Sequence, residues 1–193
     1  PLLNGSMTPE NAEMVQGLYN MLEPGFQARY TGLLDNDYIK TCRLVGERLD
    51  AYSNFYDGPP ALVHVDYRLD NMMFGGPYPL AVVDWQSIAL GCPLADASYF
   101  LGTSLLPEVR LKEEQQLLKH YLGVLKSYKV DLNFNKAFSY YRNHAPAGLI
   151  MAVIASMIVG ETDRGNEMFM VMANRSGQMC LELDWAKLTK KAS

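Results

Sequence analysis

The stretch His64-Val65-Asp66-Tyr67-Arg68-Leu69-Asp70-Asn71-Met72-Met73-Phe74 interrupts an otherwise helical pattern with short apolar runs and a dense polar cluster. Ala61-Leu62-Val63-His64 reads as a short strand, and polar residues come directly after it. Met72-Met73-Phe74 and Leu80-Ala81-Val82-Val83 are two further apolar runs, separated by Gly75-Gly76-Pro77-Tyr78-Pro79, which predicts a β-hairpin with a longer loop. Asp66 then leaves a strand end on a loop, Asn71 enters the first arm of the hairpin, and Asp84-Trp85-Gln86 comes after the second. Folding the hairpin brings Asn71 and Asp84 side by side. An amide oxygen beside a carboxylate is a hard-oxygen pair of the kind magnesium accepts while keeping water and phosphate as its other ligands. A separate aspartate nearby can orient a hydroxyl and take its proton. These are the parts that phosphoryl transfer requires.

Outward from this cluster the periodicity is helical. Thr8-Pro9-Glu10 offers a capping hydroxyl and a proline at the first helical position. The helix it opens runs through Met14, Leu18 and Met21 and is expected to stop near Pro24-Gly25. Residues 36–54 carry Ile39, Cys42, Val45, Leu49 and Tyr52 at three- and four-residue steps, which predicts one helix ended by Gly58-Pro59-Pro60. Helices are also expected over 107–128, 134–144, 147–159 and 166–183. In the first of these, Leu111, Leu117, Leu118, Leu122 and Leu125 lie on or near one face. Thr162-Asp163-Arg164-Gly165 reads as a helix-linking turn with a surface salt bridge, or alternatively as a contributor to a substrate pocket. Met168, Met170, Met172 and Met179 read as core packing or pocket wall, and Trp85 as a core residue. The outline is a single, mainly α domain over 1–193 (α+β overall), with a small hairpin set among helices.

Bulk composition narrows the function classes. The 193 residues are 49% hydrophobic, enough for one well-buried domain, and 17 basic against 21 acidic residues give a net charge of −4. That balance argues against nucleic-acid binding, which needs concentrated positive charge. Cys42, Cys92 and Cys180 lie far apart with no metal-ligand spacing and read as reduced core thiols of a cytoplasmic protein. The apolar run 145–160 is shorter than the ~20 residues of a membrane span, and the start of the chain has no basic, apolar leader pattern. No membrane partner is expected. His120 and His144 have no metal-ligand companion in the sequence and are assigned no chemistry.

The order His-x-Asp-x-x-x-x-Asn with a strand-borne aspartate after it resembles the catalytic loop and metal aspartate of the protein-kinase-like superfamily. The wording of His64–Phe74, with Val82-Val83-Asp84-Trp85-Gln86 and Gly91-Cys92-Pro93-Leu94-Ala95-Asp96-Ala97, is similar to the aminoglycoside phosphotransferase and choline-kinase branch. The resemblance implies the fold of that superfamily's C-terminal lobe and an ATP-dependent transfer of phosphate to a hydroxyl of a small molecule. It also implies magnesium (Mg2+) as cofactor and ATP as donor. Asp66 would face the acceptor hydroxyl, and Asn71 and Asp84 would hold the metal that bridges the ATP phosphates. Arg68 would lie near the transferred phosphate. Asp96 would support the loop's backbone and His64 would orient it, with Asp70 a solvated neighbour. Members of that branch act on antibiotics, choline-like alcohols, sugars and steroid-like molecules, so the acceptor is left open.

The chain departs from that pattern in two ways. Val65 stands where the branch commonly has glycine, and a β-branched residue restricts the backbone. No Gly-rich hairpin and no strand lysine with a partner glutamate precede the loop, so the ATP-clamping N-terminal lobe is expected to be absent from this chain. A kinase-like binding module without catalysis is the rival reading. A metal-dependent hydrolase is a weaker one, for want of a dense His or carboxylate cluster.

Overall fold

The computed structural model describes residues 11–189, and the capping motif at Thr8-Pro9-Glu10 lies outside them. The elements run α1 (Ala12–Arg29), α2 (Asn36–Glu47), α3 (Leu49–Asn54), β1 (Ala61–Val63), β2 (Met72–Phe74), β3 (Leu80–Val82), β4 (Ala89–Gly91), α4 (Pro93–Ser104), α5 (Pro107–Ser127), α6 (Phe134–Asn143), α7 (Ala147–Ile158), α8 (Asp163–Glu182) and α9 (Trp185–Leu188). The fold is mainly α. Strands β2 and β3 form the expected antiparallel hairpin, with Met72 opposite Val82 and Phe74 opposite Leu80. Strand β1 pairs antiparallel with β4, a strand the sequence pattern does not show, with Ala61 opposite Gly91 and Val63 opposite Ala89. Three residues are too few to display an alternating period, and only the partner strand reveals Ala89–Gly91 as one.

The core is built around α7, whose sequence AGLIMAVIASMI is apolar on every side and which packs against α8, α1 and α4. Gly148 allows the close approach: a Cβ there would lie 2.5 Å from the Thr103 side chain and 3.1 Å from that of Ser176. The start of α7 comes after Pro146 and has no side-chain cap of its own. The buried Ser176 hydroxyl of α8 takes that role, accepting from the Leu149 amide at 3.1 Å and donating to the Ala145 carbonyl at 2.6 Å. The Trp185 indole donates to the Asn143 carbonyl at 3.0 Å and so satisfies the end of α6.

Three expectations are corrected. Helix α1 does not stop at Pro24 but runs through it to Arg29. Tyr19 and Phe26, both fully buried, anchor the helix on either side of the proline, and this packing outweighs the lost hydrogen bond of about 3 kcal/mol. The buried face is that of Tyr19 and Phe26, whereas Met14 and Met21 are exposed. The single helix over 36–54 is two, broken at Arg48, whose guanidinium donates to the Ala186 carbonyl at 2.6 Å. In α5 the residues that face inward are Arg110, Glu114 and Leu118, one turn apart, while Leu111 and Leu117 are exposed. The buried Arg110 pairs with Glu114 at 2.6 Å and with Glu182 of α8, and Tyr141 donates to Glu114 at 2.9 Å. Mutual neutralisation lets two ionic side chains occupy positions that periodicity assigns to leucines.

All three cysteines are buried and free. Burial pushes the thiols of Cys42 and Cys92 up to about 12, as inert core thiols require. No helix among the described residues is long and apolar enough to cross a membrane.

Burial pushes the His144 imidazole from its ordinary 6.5 down to about 4. The unfolded chain therefore takes up a proton near pH 6.5 that the folded protein refuses until about pH 4. Stability falls as pH drops through that window, by about 2 kcal/mol between pH 7 and pH 5 from this residue. Urea denaturation across the window should show a His144→Gln variant lacking that share of the slope.

Candidate active site

Strand β1 delivers its chain into a loop whose shape is set by one carboxylate. Asp96, in the first turn of α4, accepts from the His64 amide at 2.6 Å with one oxygen and from the Val65 amide at 2.9 Å with the other. Burial raises the Asp96 carboxyl from its usual range, and the two amide donors oppose that rise. Between those amides and Asp66 the backbone turns through Val65 at φ +75°. This is the left-handed region, where a β-branched side chain costs on the order of 1–3 kcal/mol. Val65 thus occupies a conformation that favours glycine, held there by the amide clamp.

The turn projects Asp66 with its side chain 22% exposed. One carboxylate oxygen accepts from Arg68 Nε at 2.9 Å and from the Tyr99 hydroxyl at 3.0 Å, and the other accepts from Asn71 Nδ2 at 2.9 Å. Asn71 Nδ2 also donates to the Asp66 carbonyl at 2.8 Å. The nitrogen of the buried Asn71 amide is thereby committed to Asp66, so Oδ1 is the atom of that side chain left to receive a cation. The ladder continues from the hairpin into this loop, with the Val83 amide donating to the Asn71 carbonyl at 2.9 Å. Asp84 comes next, exposed and in the left-handed conformation at φ 65°, ψ 51°. Aspartate tolerates that region better than most residues. Its carboxylate forms no hydrogen bond or ion pair among the described residues.

His64 is buried, with Nε2 2.8 Å from the Val83 carbonyl. A carbonyl only accepts, so Nε2 carries the proton, and the bond ties the loop to the strand that leads into Asp84. Trp85 is not a core residue. It is 46% exposed, donates to the Val82 carbonyl at 2.9 Å, and lies with its ring 4.7 Å from the His64 ring. The left-handed step at Asp84 turns the indole outward, with its ring tilted 58° to that of His64.

Arg68 bridges Asp66 and Asp70, the latter at 2.8 Å, and approaches the Met168 sulfur of α8 at 2.9 Å. Asp70 is an ion-pair partner rather than a merely solvated neighbour, since Arg164 also reaches it at 3.5 Å. The segment Thr162–Gly165 is the cap and first turn of α8, with the Thr162 hydroxyl accepting from the Gly165 amide at 3.0 Å. Helix α8 consequently begins three residues earlier than the apolar pattern indicates. Beside the loop lies a pocket of about 270 Å³ whose walls include Arg68, Asp70, Arg164, Met168 and Arg175. Arg175 donates to the Thr103 and Ser104 carbonyls at the end of α4, at 2.8 and 3.1 Å.

Sequence reasoning misses Tyr99, Arg175 and the loop contact of Met168. A signal exists for Tyr99: it stands three residues after Asp96 on the same helix, so both must face the loop. No comparable signal marks Arg175, whose place depends on how α8 crosses α4. Among the described residues no group of three or more His, Cys, Asp or Glu converges as a metal cage. Asn71 Oδ1 and the Asp84 carboxylate are nevertheless the donor chemistry that magnesium takes, few in number and all oxygen.

Known proteins carry parts of the same pattern. The chain is 29% identical over 151 residues to acyl-CoA dehydrogenase family member 10 of Mus musculus, an alignment covering 67% of this chain and 13% of that protein. The likeness is therefore to a small part of a much longer protein. The family model described as ecdysteroid kinase-like matches residues 3–134, more than half of the chain. That span runs from before α1 to the start of α6, taking in the loop, the hairpin and the Asp96 clamp. The residue pattern points to the superfamily through its aminoglycoside and choline branch; the match specifies a different member of the same kind, and this chain belongs to the ecdysteroid kinase-like family, a family of protein-kinase-like phosphotransferases.

Proposed function

We propose that this chain is the catalytic lobe of an enzyme that transfers the γ-phosphate of ATP to a hydroxyl group of a small molecule. The observation that carries the reading is the Asp66 carboxylate, fixed by Arg68, Tyr99 and Asn71 yet still partly open to solvent. A carboxylate held this way can accept a hydrogen bond from an acceptor hydroxyl and align its oxygen for attack. As the new P–O bond forms, Asp66 receives the hydroxyl proton, the bond from the γ-phosphorus to the bridging oxygen breaks, and ADP leaves. Asn71 Oδ1 and Asp84 would hold magnesium, which when bound neutralises phosphate charge. Arg68 would meet the transferred group, and Asp96 and His64 would be positioning residues that act through the backbone of the loop.

The pocket of about 270 Å³ beside Arg68 is the natural seat for the acceptor, because Arg68 is shared between its wall and Asp66. Arg164, with its side chain 90% exposed, would then contribute to acceptor binding from the start of α8. The exposed Met73, Phe74 and Leu80 on the hairpin suit an apolar contact with the nucleotide or with a second, nucleotide-clamping lobe. The family's description points to hydroxylated steroids as one acceptor class. The rival reading, a binding module without catalysis, draws on Val65 in place of glycine; the conformation at Val65 is the one glycine favours, so the substitution leaves the path of the loop intact.

Calorimetric titration of the 193-residue chain with ATP should show binding that requires magnesium and that Asp84→Asn weakens roughly tenfold or more. Binding indifferent to both magnesium and Asp84 would end the metal assignment. In an assay of phosphate transfer, Asp66→Asn should keep nucleotide binding but lower turnover on the order of 10²–10⁴-fold; unchanged turnover would refute the role given to Asp66. Replacing Asp96 with alanine removes both acceptors of the loop amides, so urea denaturation should record a loss of about 3 kcal/mol, with magnesium-dependent ATP binding weakened in parallel.

A further inference from the structure

Behind the catalytic loop lies a second cavity, of about 330 Å³, bounded by α1, α3, α4, α7 and the β1–β4 pair and partly open to solvent. Its volume is at the lower end of the range for small-molecule sites. Most of its wall is apolar, including Leu18, Ile150 and Ile154. Asp66 is not part of the wall, but Val65, Asp96 and Tyr99 are. The cavity therefore lies beside the reacting position rather than in it.

Four ionisable oxygen- or nitrogen-bearing side chains line it, and two of them are already satisfied. Asp96 spends its oxygens on the His64 and Val65 amides, and the Tyr99 hydroxyl donates to Asp66. The other two are Tyr52 and His144, each only 8% exposed, with ring centroids 5.1 Å apart. The Tyr52 hydroxyl forms no hydrogen bond among the described residues. His144 places Nδ1 2.8 Å from the Tyr140 carbonyl, which only accepts, so Nδ1 holds the proton and Nε2 presents a lone pair without a partner among the described residues. Both side chains are more than nine-tenths buried, yet neither of these two atoms is sealed off by packed protein, so each is free to meet a ligand. They stand side by side in the wall of one apolar cavity.

We propose that this cavity is a binding site for a neutral, largely apolar alcohol or phenol, whose hydroxyl donates to His144 Nε2 and accepts from the Tyr52 hydroxyl. Neutrality is dictated by the wall. No lysine or arginine lines it, and its one carboxylate, Asp96, is committed to two amides. A single hydroxyl on an apolar body satisfies both orphan groups and fills the apolar remainder. Burial, which keeps the imidazole neutral well below physiological pH, preserves Nε2 as an acceptor. The site does not depend on phosphate transfer, so it can be tested whether or not the chain is active.

The probe is 2-naphthol, monitored by its own fluorescence as it is titrated into the 193-residue protein, with naphthalene as a competitor of nearly the same shape that lacks the hydroxyl. Saturable binding of 2-naphthol is expected, with naphthalene displacing it at an affinity roughly three- to tenfold weaker. Tyr52→Phe removes one oxygen and no packing atoms of the ring, and should weaken 2-naphthol by a similar roughly three- to tenfold while leaving naphthalene unchanged. Absence of saturable binding, equal affinity for the two probes, or an affinity for 2-naphthol that Tyr52→Phe leaves unaltered would each overturn the proposal.

Discussion

The carboxylate of Asp96 on the amides of His64 and Val65 is the interaction on which the site depends. Two consecutive backbone N–H groups at a strand end have no ladder partner, and the chain there must bend sharply enough to expose Asp66. One side chain from the next helix solves both problems, since its two oxygens match the two amides and the geometry they share fixes the bend. These are charge-assisted bonds in a partly buried setting, stronger than their neutral counterparts. They are large enough to offset the strain of a valine at positive φ. Without the clamp, a β-branched residue at that position would relax toward the extended region and carry Asp66 with it.

Each later placement along the loop depends on that bend. Asp66 is set by three donors, of which Arg68 and Asn71 come from its own loop and Tyr99 from the helix that also carries Asp96. Helix α4 therefore holds the loop at two points one turn apart. His64 adds a third tie by its hydrogen bond to Val83, which joins the loop to the strand leading into Asp84. The candidate site residues thus come from a loop, a hairpin and a helix, and these elements are tied to one another by named bonds. The same helix forms the boundary between the Asp66 side of the loop and the apolar cavity behind it, so Val65, Asp96 and Tyr99 belong to both environments.

The rest of the domain supplies rigidity in ways that simple hydrophobic patterning does not anticipate. Arg110, Glu114 and Tyr141 form a buried polar set that the exposed Glu182 joins from the surface, linking α5, α6 and α8. Such a set specifies which faces of the helices meet, because each charge must find its partner on desolvation. Ser176 does similar work at the start of α7, where a proline leaves the helix without a cap of its own. These contacts fix α8 against α4 and α7, and with it the positions of Met168 and Arg175 near the Asp66 loop.

The succession of short apolar runs around His64–Asn71 is enough, read alone, to indicate a hairpin set in a helical domain and to single out Asp66, Asn71 and Asp84, because alternation of period and order along the chain are local properties. The inward face of α1, the charged inward face of α5, the break at Arg48 and the strand Ala89–Gly91 are not legible, since each depends on a partner distant in sequence that overrides local preference. Trp85 is misplaced by its residue type, which favours burial, whereas the left-handed step at Asp84 turns it outward. Composition and order along the chain determined which residues could carry chemistry. The tertiary structure alone decided which of them touch, that Tyr99 reaches Asp66, and that Tyr52 and His144 stand side by side with the Tyr52 hydroxyl and His144 Nε2 unbonded among the described residues, because contact between residues far apart in sequence is settled by packing and not by spacing.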